Sequence, residues 1–110
     1  MTSKTAEAIE HPAREEIELG AVLHALSDPI RLKIVAALDS LPDACPTGGF
    51  DVPVTKSTCT HHFRVLREAG IVHQEPEGTA RMNTLRREDL DARFPGLLDT
   101  ILQSVPSQAG

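Results

Sequence analysis

The 110-residue sequence has no tryptophan, no tyrosine and only three phenylalanines. A core without large rings must be built from Leu, Ile, Val and Ala, which suits packed helices better than a β-sandwich. Its two cysteines, Cys45 and Cys59, do not make a disulfide framework. No apolar run approaches the roughly 20 residues needed to span a bilayer. The first ten residues, Met1 to Glu10, are polar and lack the apolar stretch of a signal peptide. The expectation is a cytoplasmic protein with no membrane partner. No nucleophile–base pairing, phosphate-cradling glycine loop or zinc-hydrolase spacing occurs, so the chain is not expected to be an enzyme. The sequence also lacks an overall positive charge: its formal net charge is −5.

What is present fits one compact domain. A small aliphatic core is marginal alone, and pairing two chains would help it. The charge is unevenly spread. From Lys56 to Arg87 there are six basic side chains (Lys56, Arg64, Arg67, Arg81, Arg86, Arg87) against three acidic ones (Glu68, Glu75, Glu77), or +3. The rest of the chain carries five against thirteen, or −8. A surface that meets phosphates needs local positive potential, not a basic whole.

Residues 1–12 read as a flexible N-terminal arm, 13–105 as the folded domain and 106–110 as a C-terminal tail. Ile17, Val22, Leu23 and Leu26 predict a helix over 13–26. Asp28 is a natural N-cap with Pro29 at the first helical position, opening a helix to about Asp39. In it Ile30, Ile34, Val35 and Leu38 are expected inward, and Arg31 and Lys33 outward, with Arg31 reaching a phosphate or pairing with an acid. Residues 41–54 hold three prolines and two adjacent glycines and read as an irregular connector. Thr55 then caps a helix whose Cys59, His62, Phe63, Leu66 and Ala69 form one inward stripe, with Gly70 as its C-terminal stop. Ile71 to Glu75 and Ala80 to Leu85 flank Pro76-Glu77-Gly78-Thr79, a hairpin signature. Glu88 to Arg93, a break near Phe94-Pro95-Gly96 and an apolar helix with Leu97, Leu98, Ile101, Leu102 and Val105 close the chain.

The inward stripe leaves Lys56, Ser57, Thr60, His61, Arg64 and Arg67 outward, all hydrogen-bond donors and none acidic; Thr58 lies at the same N-terminal end. Small hydroxyl residues at a helix start can approach phosphates and base edges, and Arg matches guanine O6 and N7. This is the composition of a helix laid in the major groove by its N-terminal half. The hairpin that follows carries Arg81 beside its turn, placed to reach a backbone or a narrow minor groove.

The stretches ALSDPIRLKIVAAL (25–38), KSTCTHHFRVLREAGIV (56–72) and EGTAR (77–81) together resemble the ArsR/SmtB family of bacterial repressors, a likeness running from about residue 17 to 103. The resemblance implies a mainly α fold with a small β-hairpin, the winged helix-turn-helix, acting as a homodimer through its first and last helices. It assigns Leu19, Val22, Leu23, Leu97, Leu98, Ile101 and Leu102 to the dimer interface. It implies a repressor of a near-palindromic double-stranded DNA operator, its affinity modulated by a ligand. The chain departs from the family at both well-known metal sites. The region of the thiolate site is the 41–54 connector with Cys45 alone, and the last helices carry Asp89, Asp91 and Asp99 but no His.

The effector therefore stays open. His24, His11 and His73 are the candidates for an imidazole site that would suit Zn or Ni, against the plainer reading of exposed or structural rings. Cys59-Thr60-His61-His62 invites a metal reading as well, but a groove contact and a core thiol explain it more simply. Cys45 in the connector is the candidate for a thiol-redox switch. A further alternative is a partner-dependent regulator: the acidic remainder would engage a second regulatory protein, and the chain's own DNA affinity would be weak.

Overall fold

The computed structural model describes residues 9–41, 43–47 and 53–105. A single 3-10 turn, Arg14–Glu16, precedes helices α1 (Leu19–Leu26) and α2 (Pro29–Asp39), a short strand β1 (Cys45–Pro46) and helix α3 (Lys56–Glu68). Strands β2 (Val72–Glu77) and β3 (Ala80–Leu85) then lead to α4 (Arg87–Arg93) and α5 (Leu97–Gln103). The strands form one antiparallel sheet in the order β1-β3-β2.

The N-terminal helix is shorter than its periodicity predicts. Ile17 and Glu18 are extended, so the 13–26 segment divides into the 3-10 turn and α1. Ile17 lies five residues before Val22, off the period of Val22, Ala25 and Leu26, and the chain straightens to sink it to 1% exposure. Arg93 fixes this bend by donating from Nε and Nη2 to the Ile17 carbonyl. Of the expected arm, residues 1–8 lie outside the described residues, and His11 and Pro12 are tied to the fold. Gln74 N donates to His11 Nε2 (2.9 Å), and Arg86 Nη1 donates to the Pro12 carbonyl (2.9 Å). The tail at 106–110 lies outside the described residues.

Asp28 caps α2 as its sequence predicts, accepting from Ile30 N (2.8 Å) and Arg31 N (3.1 Å). Part of the 41–54 connector is ordered as β1, where Cys45 pairs with Asn83 and Pro46 with Met82; residues 42 and 48–52 of it lie outside the described residues. The hairpin is longer than expected. Pro76 and Glu77 pair with Arg81 and Ala80, leaving Gly78-Thr79 as the turn. Gly78 takes φ +65° at the first of two central positions, the place where a type II′ turn needs glycine.

The core joins Val22, Ala25 and Leu26 of α1 to Ile34, Val35 and Leu38 of α2 and Phe63 and Leu66 of α3, closed by Ile17, Ile71, Val72, Leu90 and Leu98. In line with the scarcity of aromatics, Phe63 is the phenyl ring fully buried in the core among the described residues, with Phe94 packed against its edge and aliphatic side chains supplying most of the rest. Three helices before a hairpin wing backed by a third strand, with α4 and α5 behind, make the architecture a winged helix-turn-helix.

Candidate nucleic-acid interface

Helix α3 is defined at both ends by local chemistry. Thr55 Oγ1 accepts from Thr58 N (3.2 Å) at the start. At the end Gly70, with φ +87°, closes a Schellman motif: Ile71 N donates to the Leu66 carbonyl and Gly70 N to the Arg67 carbonyl, both 3.0 Å. The inward stripe is as predicted, with Cys59, His62, Phe63, Leu66 and Ala69 all buried. Rotation about the helix axis is thereby set, and Lys56, Ser57, Thr58, Thr60, His61 and Arg64 are exposed on the other side. Among the described residues, Lys56, Arg64 and Arg81 take part in no ion pair, so their charge faces solvent. By contrast Arg86 is paired with Asp89, and Arg87 with Asp39, Asp91 and Asp99. With Arg86 and Arg87 answered by these acids, the basic side chains of the Lys56–Arg87 segment that keep no ion-pair partner among the described residues are Lys56 and Arg64 on α3 and Arg81 on the hairpin.

Two arginines expected outward are not. Arg67 is half-buried, its Nη1 donating to Gln74 Oε1 (3.0 Å). Arg31 is 8% exposed and turned into the protein; its Nε donates to the Ala25 carbonyl (2.7 Å) and its Nη1 lies 3.1 Å from His62 Nδ1. It reaches neither a surface acid nor a phosphate-facing position. The Arg31 guanidinium meets two acceptors inside, whereas Arg67 meets Gln74 Oε1 and its Nε is buried without a hydrogen-bond partner among the described residues.

The wing is tied to α3 by a chain of polar contacts that sequence reasoning missed. From Arg67 the chain passes to Gln74, whose Nε2 donates to Asn83 Oδ1 (2.7 Å). Asn83 Nδ2 in turn reaches the Cys45 carbonyl and Thr47 Oγ1, each at 3.0 Å. Gln74 is 2% exposed and Asn83 fully buried, so every link matters: a buried polar group left unpaired costs about 1–3 kcal/mol. This relay sets the hairpin, and Arg81 with it, relative to α3. Arg81 sits exposed near the start of β3, opposite Pro76.

The histidines divide three ways. His61 is exposed on the α3 face, while His62 is inside. His62 is held below the usual imidazole range by burial, with Arg31 and His61 pushing the same way and Asp28 opposing them. His11 and His73 stack with ring centroids 4.4 Å apart, and burial, then His73, Arg86 and Arg67, lowers His11. Its Nε2 is already engaged by Gln74, which leaves that atom poorly placed as a ligand. His24 is exposed on α1. Among the described residues, no three His, Cys, Asp or Glu side chains are grouped so as to hold a metal ion. Cys45 is half-buried within β1, and burial pushes the Cys59 thiol up, away from the thiolate that metal binding requires.

The residues expected at a dimer interface fall into two sets. Leu19 and Leu23 are 44% and 45% exposed on α1, and Leu97, Ile101 and Leu102 are half-buried on α5. Val22 and Leu98 instead belong to the chain's own core, at 2% and 3%. Among the described residues, no helix is long and apolar enough to cross a membrane.

A winged helix-turn-helix whose third helix offers a donor-only face is the architecture of a DNA-reading protein class. No family model matches the chain. It is 30% identical over 82 residues to the uncharacterized HTH-type transcriptional regulator YceK of Bacillus subtilis (strain 168), covering 73% of this chain and 82% of that protein. The chain belongs to the HTH-type transcriptional regulators.

Proposed function

We propose that this protein binds double-stranded DNA in a sequence-specific way as a homodimeric repressor, laying α3 in the major groove and the β2–β3 wing along the flanking backbone. One observation carries the reading: from Lys56 to Arg64 the solvent face of α3 is exposed, free of acids and rich in donors, while its inner stripe is locked in the core. Arg64 is the base-reading candidate. Lys56, Ser57, Thr58, Thr60 and His61 supply phosphate and edge contacts, and Arg81 reaches the minor groove or backbone. Arg67 is withdrawn from this set because its guanidinium is committed to Gln74. The exposed Leu19 and Leu23, with the half-buried Leu97, Ile101 and Leu102, support pairing of two copies through α1 and α5. Two recognition helices related by a two-fold axis would read a near-palindromic operator with half-sites about one helical turn apart.

Fluorescence anisotropy against the protein's own promoter and a scrambled duplex tests this. Specific binding should exceed the scrambled control by at least about 10³ and weaken with salt as counterion release requires. Arg64→Ala should cost about 1–3 kcal/mol per half-site while the dimer persists in sedimentation. An operator affinity unchanged by that substitution would refute the placement of α3. Repeating the titration with chelator and then with Zn or Ni decides whether a metal is the effector. Binding that appears only with a second protein would instead favour the partner-dependent reading.

A further inference from the structure

A polar contact behind the outward face of α3 ties this helix to α1 and α2. The Arg31 guanidinium joins three elements: its own helix α2, the Ala25 carbonyl near the end of α1, and His62 Nδ1 on the inner side of α3. Arginine only donates hydrogen bonds, so Nδ1 must carry the lone pair and the neutral ring its proton on Nε2. The charged and titratable groups facing His62 are Arg31 and Asp28 from α2 and His61 from α3 itself; α1 contributes only the Ala25 carbonyl through Arg31.

We propose that Arg31 and His62 are a positioning pair that sets the angle of α3 against α1 and α2, and that protonation of His62 releases it and weakens operator binding in acid. This rests on the DNA-binding reading above. The apolar stripe of α3 resists separation from the core but is non-directional. The Arg31–His62 contact supplies direction, because it requires one acceptor atom at one place. A protonated ring has two N–H groups and no acceptor, and it would face a guanidinium at 3.1 Å. Burial and the guanidinium both favour the neutral ring against the pull of Asp28. The contact is therefore intact above the ordinary imidazole value of about 6.5 and is lost as pH falls through the lower folded value.

The test compares wild type with His62→Asn and His62→Leu. Asn places an oxygen acceptor where Nδ1 stands and cannot titrate; Leu offers no acceptor. Operator affinity is measured from about pH 8 to about pH 5.5, a span bracketing the imidazole range. At the alkaline end His62→Asn should match wild type and His62→Leu should bind more weakly. Towards acid, wild type should lose affinity relative to His62→Asn by up to about tenfold per pH unit for each protomer, the limit for one linked proton apiece. Identical pH slopes for wild type and His62→Asn would overturn the coupling. Nitrogen-15 spectra of the wild-type ring, taken without DNA, should show the Nε2–H tautomer titrating below about 6.5. An Nδ1–H tautomer would overturn the pair itself. Absence of binding to any duplex would defeat the DNA reading and the coupling with it, while the ring spectrum still decides on the pair, so the two failures are distinguishable.

Discussion

Replacing Gly70 by alanine should destabilise the protein by about 2–5 kcal/mol, well beyond the same change at Gly78. Both glycines have positive φ, +87° and +65°, where an L side chain costs about 1–2 kcal/mol. They differ in what surrounds them. A Cβ on Gly70 would stand 2.5 Å from Ile17 Cγ1 and 2.9 Å from its Cδ1, whereas a Cβ on Gly78 meets nothing within 4 Å. Ile17 is 1% exposed and its carbonyl is held by Arg93, so it has little room to retreat. Overpacking of that kind adds about 1–3 kcal/mol to the backbone term. Urea unfolding followed by circular dichroism gives both values; protein concentration must be fixed, because association shifts apparent stability. The double variant Ile17→Ala/Gly70→Ala isolates the contact: with Ile17 truncated, the added cost of Gly70→Ala should fall to that of Gly78→Ala. Equal losses for the two single glycine variants, or a Gly70 cost indifferent to Ile17, would refute the reasoning.

Two further substitutions test local claims. Asp28→Ala removes the acceptor for Ile30 N and Arg31 N and should cost about 1 kcal/mol in the same urea assay, with Asp28→Asn losing less because its oxygen still caps. Asn83→Leu strips Gln74 Nε2 of its acceptor and leaves the Cys45 carbonyl without the Asn83 donor. It should cost at least about 2 kcal/mol, and a loss under about 0.5 kcal/mol would mean that the relay contributes little.

The elements legible in the sequence are those whose cause is local. The Asp28-Pro29 start, the Thr55 cap, the Gly70 stop and the stripe at 59, 62, 63, 66 and 69 each follow from residue chemistry at fixed spacing. Residue type is the poorer guide where it conflicts with that spacing. Arg31 stands four residues before Val35 and seven before Leu38, both buried, so its position on the wheel was inward all along. Arg67 likewise lies four residues after Phe63. In the strands, Gln74 shares a face with Val72, and alternation alone would have placed it inside. Strand β1 could not be read at all: a two-residue pairing has no period, and its partner Asn83 is 38 residues away.

These buried polar groups have a common logic. Apolar packing fixes which faces of α3 and the sheet turn inward, but a small aliphatic core tolerates sliding and tilting. Arg31–His62, Arg67–Gln74 and Gln74–Asn83 occupy the junctions of α2 with α3, α3 with β2, and β2 with β3. At each junction a mispaired group would lose its partner inside the protein, so each contact selects one relative placement. The outward residues Lys56, Thr60, Arg64 and Arg81 are exposed and stand apart from this scaffold. Substitutions among them should therefore change what the helix and wing touch while leaving their presentation intact, whereas changes at Arg31, Gln74 or Asn83 should alter presentation without touching a ligand.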